Sequence, residues 1–80
     1  MDDETVLHRI ERLMARELLI EESHAEVAAT PEQRRELRDI EVELDQCWDL
    51  LRQRRARRAA GLDPDGARVR PPEVVEDYLQ

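Results

Sequence analysis

From Asp3 to Ala29 apolar residues return every three or four positions. On a helical wheel of about 100° per residue, Val6, Leu7, Ile10, Leu13, Met14, Leu18, Ile20 and Val27 fall on one side, over roughly half the circumference, and Leu19 points away. The pattern predicts a helix over about residues 3–29. Asp2 and Asp3 stand at its start, where negative charge complements the helix dipole.

A second helix is predicted over about residues 31–60. It opens on Thr30-Pro31-Glu32-Gln33. Thr30 can accept from the N–H of Gln33, Gln33 can reach back to the N–H of Thr30, and Pro31 takes the first helical position, where its missing N–H costs nothing. Gly61 is a natural residue to end it. Leu37, Ile40, Leu44, Cys47 and Leu51 alternate spacings of three and four, as in a coiled-coil seam, with Trp48 at the rim.

Only a few residues near 28–30 separate the two helices, which requires an antiparallel hairpin. Residue i is then expected opposite roughly residue 59 − i. That register places Asp2, Asp3 and Glu4 beside Arg52, Arg54, Arg55, Arg57 and Arg58.

The rest of the chain differs in kind. Asp63-Pro64-Asp65-Gly66 reads as a turn, Arg70-Pro71-Pro72 as extended chain, and Pro72 to Leu79 as a short helix whose apolar side is Val74, Val75, Tyr78 and Leu79. The expected organisation is a helical hairpin over 1–60 and a tail over 61–80 that folds back on the hairpin or on a partner. The apolar arc of the first helix is wider than the ~100° stripe a single neighbour covers. Eighty residues also bury little surface alone. Together these predict a homodimer, two hairpins forming a four-helix bundle.

Composition narrows function more than it reveals it. The net charge of −7 opposes binding to nucleic acid. Charged residues make up 41% of the chain, which in a helical protein means solvated faces laced with ion pairs. The basic residues are all Arg, and Cys47 is the only cysteine, so no disulfide forms within the chain. The start is acidic and lacks an apolar leader, and no apolar run is long enough for a membrane span, so a cytoplasmic protein is expected.

The stretch Glu41-Val42-Glu43-Leu44-Asp45-Gln46-Cys47-Trp48-Asp49-Leu50-Leu51-Arg52-Gln53-Arg54-Arg55-Ala56 resembles the signature of an uncharacterised, mainly actinobacterial family, domain of unknown function 2630. The acidic start through Ile10 and Leu13 is similar too, as is the ending Arg70-Pro71 … Val75-Glu76 … Tyr78-Leu79-Gln80. Members of that family often carry Glu-Glu-His in the first helix where this chain has Arg16-Glu17-Leu18. The resemblance implies a helical fold and assigns no activity.

No catalytic set and no cofactor site is legible. Glu21-x-x-His24 has the i, i+3 spacing used by di-iron bundles, and Glu17 lies near it on the apolar side. In a symmetric dimer these residues, joined by Glu36 or Glu41, could form a metal-binding bundle. The more ordinary reading is a partly wet ion-paired edge. Arg52, Arg54, Arg55, Arg57 and Arg58, with Trp48, are candidates for an interaction surface. The same arginines suit the last turns of a helix, and no interleaved aromatic offers stacking to a nucleic acid. Cys47 reads as a buried apolar side chain and His8 as solvated. The expected function is a non-enzymatic module that binds a protein partner or itself. A metal-binding bundle and a nucleic-acid-associated protein using the Arg cluster are the alternatives.

Overall fold

A computed structural model describes residues 2–24 and 26–79, without the side chains of Tyr78 and Leu79. Two long helices, α1 (Asp3–Ser23) and α2 (Pro31–Ala59), lie antiparallel. A single 3-10 turn (Pro64–Gly66) and a short helix α3 (Pro72–Leu79) follow, and no strand occurs among the described residues.

The start of α1 follows from Asp2, whose carboxylate accepts from the Thr5 N–H at 2.8 Å and the Thr5 hydroxyl at 2.7 Å. Its end differs from the sequence expectation: the helix stops at Ser23 and not near Ala29. Glu21, Glu22 and Glu26 crowd negative charge where the helix dipole is already negative, and no basic residue offsets it in the last turn. The Ser23 hydroxyl donates to the Ile20 carbonyl at 2.7 Å and accepts from Gln33 Nε2 at 3.1 Å, clipping the end of α1 to the start of α2. Val27, expected on the apolar arc of the helix, therefore lies in the connection and is exposed.

The capping box forms as the residues predict. The Gln33 N–H donates to Thr30 Oγ1 at 3.1 Å, and the Thr30 N–H donates to Gln33 Oε1 at 2.9 Å. At the other end Gly61 takes φ +75. The Leu62 N–H reaches the Arg57 carbonyl at 2.8 Å and the Gly61 N–H the Arg58 carbonyl at 3.1 Å, a Schellman closure that occupies carbonyls the helix leaves open.

Two small clusters hold the hairpin. Val6, Ile10 and Leu50 form one, and Leu13, Ile20 and Ile40 the other. Each such side chain contributes ~1.5–3 kcal/mol by leaving water. Midway along the hairpin the pairing departs from the expected register, Arg9 meeting Glu43 and Arg16 meeting Glu36, because the connection runs over 24–30 and its centre sits near Val27. At the open end the expected meeting of Asp3 with Arg54 and Arg58 forms.

On α2 the expected seam makes the contact with α1: Ile40 is buried, and Leu37, Leu44, Cys47 and Leu51 pack half-buried against the two clusters, with Leu50 added and Glu36, Glu43 and Arg54 paired to α1 beside them. The tail packs on α2, and among the described residues neither the 3-10 turn nor α3 packs on α1. Val75 is the buried anchor of α3 and Val74 is exposed. The side chains of Tyr78 and Leu79, expected on the same apolar side, lie outside the described residues.

Candidate interaction surface

Three groups of residues beyond the core define what the surface can do. The first is a charged cluster where α1 begins. Arg54 is buried and bridges Asp3 to Asp65, its NH1 reaching Asp65 Oδ1 at 2.9 Å. Arg58 NH2 donates to Asp3 Oδ2 at 2.9 Å. The two guanidinium groups, Arg58 first, hold the Asp3 carboxyl below its ordinary pKa. Arg57 donates through Nε to the Asp63 carbonyl at 2.6 Å. Of the arginines read as an interaction surface, these three are therefore engaged within the chain, and Arg52 and Arg55 are exposed.

The second group ties the tail down. Asp49 is buried on α2 and accepts from Arg70 Nε at 2.9 Å and from a second nitrogen of the same guanidinium. Gln53 Nε2 donates to the same carboxylate and to the Arg68 carbonyl, both at 2.8 Å. Gln46 Nε2 donates to the Arg70 carbonyl at 3.1 Å. The Arg70 guanidinium holds the Asp49 carboxyl below its usual range. Farther along, a hydrogen bond that Glu76 donates to the Asp45 carboxylate only when protonated, with burial added, raises the Glu76 pKa above its ordinary value. Sequence reading missed Asp49 as a site residue. Its signal was an acidic residue beside Trp48 in a helix and a lone Arg70 ahead of two prolines, and only the fold shows that the two meet.

The third group is an uncovered apolar face. Leu7, Met14 and Leu18 share one side of α1 and are 43%, 52% and 55% exposed. On α2 the half-buried Leu37, Leu44 and Leu51, which pack against the core clusters, adjoin this face, with Trp48 at its border 44% exposed. The opposite side of the hairpin holds an apolar cleft of about 190 Å³ between Thr5, Arg9 and Arg12 of α1, Cys47 and Leu50 of α2, and Val69 of the tail. The tail thus crosses one side of the hairpin and leaves the leucine row on the other uncovered.

The metal candidates are not gathered. Glu21 is exposed, while Glu17 and His24 are half-buried, and His24 Nε2 is a buried atom without a hydrogen-bond partner among the described residues. No group of three His, Cys, Asp or Glu side chains that could hold a metal ion occurs among the described residues. Cys47 is half-buried, and burial, with Glu43 nearby, pushes its thiol pKa up, away from a reactive thiolate. His8 is exposed. No helix among the described residues is long and apolar enough to cross a membrane.

A family model described as protein of unknown function, DUF2630, matches residues 2–80. The chain belongs to that family. This DUF2630 chain is similar to uncharacterised proteins of Mycobacterium bovis and Mycobacterium tuberculosis, at 52% identity over 79 residues that cover 96% of this chain and 88% of theirs. No solved structure matches it. The segments that carry the DUF2630 resemblance meet in the fold. The Gln46–Gln53 stretch of α2 is the surface on which Arg68 and Arg70 of the tail are fastened.

Proposed function

We propose that the protein is a non-enzymatic helical association module of the cytoplasm, a two-helix platform that works by binding through its uncovered apolar face and assembles as a homodimeric four-helix bundle. The observation that supports this most is the row Leu7, Met14 and Leu18, which neither α2 nor the described residues of the tail cover. The tail, the one segment of the chain long enough to shield that row, is fastened to α2 by Asp49 and Gln53. A contiguous apolar strip bordered by charge is the usual mark of a protein-binding surface.

The test is Met14→Glu. Met14 is half in solvent, so the substitution leaves the folded monomer close to its original stability, and it sets a charge in the middle of the strip. Native mass spectrometry on untagged protein should give dimers of the wild type and monomers of the variant, with matching circular dichroism. A wild type that stays monomeric at high micromolar concentration, indistinguishable from Met14→Glu, refutes the proposal.

A further inference from the structure

We propose that the stripe Gln46, Asp49 and Gln53 on α2 is a peptide-binding site for an extended arginine-proline-proline segment of a partner protein, and that the chain's own tail fills it in cis. The site lies apart from the leucine row and stands whether or not the chain dimerises.

The three residues are spaced by three and four, so they form one stripe of the helix. Each reads a different part of the tail. Asp49, 1% exposed, takes the Arg70 guanidinium on two nitrogens, Nε at 2.9 Å. Gln46 donates to the Arg70 carbonyl at 3.1 Å. Gln53 clasps the Arg68 peptide group: its Nε2 donates to the carbonyl at 2.8 Å and its Oε1 accepts from the N–H. Residues 67–71 are in neither helix nor strand, and the two prolines hold Arg70 extended. Bonds to the main chain of an extended segment, with a pocket for one of its side chains, are how a peptide is recognised. Here the pocket is a buried carboxylate whose flat pair of oxygens matches the guanidinium fork. Apolar burial adds little, since Val75 is the one fully buried apolar residue of the tail among the described residues.

The tail is an imperfect occupant. Where α3 docks, Glu76 stands against Asp45 with Glu41 near, an acid set against acids. Glu76 Oε1 is a buried atom without a hydrogen-bond partner among the described residues. A segment with the same Arg-Pro-Pro and no acid in the place of Glu76 fits α2 better. The tail keeps the site through its tether, which gives a local concentration on the order of millimolar. The tail of a second copy carries the same mismatch and leaves an identical site empty behind it. Exchange between copies therefore gains no contact and forfeits the tether, so a segment of a different protein is the favoured occupant.

The probe is a peptide of residues 67–80 with a fluorescein at its N-terminus, read by polarisation against the full chain. Arg70→Ala and Asp49→Ala each break the latch and loosen the tail, but only Arg70→Ala leaves the acceptor in place. The apparent Kd should fall about ten- to thirtyfold from wild type to Arg70→Ala, as the tail vacates the site, and should stay at the wild-type value in Asp49→Ala. A Glu76→Gln peptide should bind Arg70→Ala tighter still at neutral pH. Circular dichroism should match across the three proteins, since the latch lies outside the hairpin core. Equal binding to wild type and Arg70→Ala, equal gains in both variants, or no binding to Arg70→Ala at millimolar protein overturns the site. A Glu76→Gln peptide that binds no tighter overturns the choice of a foreign occupant.

Discussion

Removing the Asp49 carboxylate should release the tail and leave the hairpin intact. In Asp49→Ala, Arg70 loses both of its bonds to the carboxylate, and Gln53 loses one acceptor while keeping the Arg68 carbonyl at 2.8 Å. Breaking a fully buried pair costs ~3–5 kcal/mol. Arg70 is 43% exposed and regains water, so the larger figure does not apply. A charge-assisted, two-point hydrogen bond on a buried acceptor suggests ~1.5–2 kcal/mol instead. The rest of the grip on α3 is of similar size, chiefly the burial of Val75 at ~1.5 kcal/mol. Local opening of the tail should therefore become about ten- to thirtyfold more frequent. Hydrogen exchange read on peptides covers this directly. Amides of Val74 and Val75, which donate to the Pro71 carbonyl, should exchange ten- to thirtyfold faster, and those of α1 and of α2 before Gln46 should not change. Acid should mimic the substitution. The Asp49 carboxyl has its pKa depressed by Arg70, so its contribution is full above the unfolded value near 3.8 and is lost as pH falls through the folded one. Equal acceleration over the whole chain, or none in the tail, would refute the argument that Asp49 holds the tail alone.

Two more expectations follow from single groups. Glu76 has its pKa raised by a hydrogen bond it donates to Asp45 when protonated, by burial, and by the charges of Asp45 and Glu41. Its folded form therefore holds the proton more tightly than the unfolded chain, so docking of α3 is strongest below about 4.5 and weakens as pH rises through the folded value. Glu76→Gln should make protection of the tail, corrected for intrinsic exchange, flat as pH rises above about 4.5, where the wild type declines; a variant that declines in parallel would remove Glu76 as the cause. Gly61→Ala forces a side chain into φ +75, although nothing lies within 4 Å of its Cβ, and should cost ~1 kcal/mol in urea unfolding, purely from the backbone.

The parts of this fold that could be read from sequence are those fixed by local chemistry. Thr30, Pro31 and Gln33 specify the start of α2 within one turn of chain, and Gly61 specifies its end, because caps need only neighbours. The end of α1 was misread because its apolar period runs on through Val27, while the terminating influence is the unfavourable charge of Glu21 and Glu22 together with a clip from Ser23 to Gln33 that only the folded hairpin brings into reach. The tail latch was not legible for the same reason, since Asp49 and Arg70 are remote in the chain.

The seam on α2 shows how far a heptad pattern carries. Leu37, Ile40, Leu44, Cys47 and Leu51 all reach the core: Ile40 is buried, and the other four pack against the clusters built with Val6, Ile10, Leu13 and Ile20 of α1. What the apolar period does not show is the charged row beside it, in which Glu36, Glu43 and Arg54 meet Arg16, Arg9 and Asp3. Arg and Glu can bridge two helices with their apolar stems while their charged ends stay wet, so such a row adds a register lock to the seam. With the leucines of α2 engaged in this way, the side chains left most open on that face are Leu7, Met14, Leu18 and Trp48. Association through that face should therefore change the environment of Met14 and Trp48 most, and that of the buried Arg54 least.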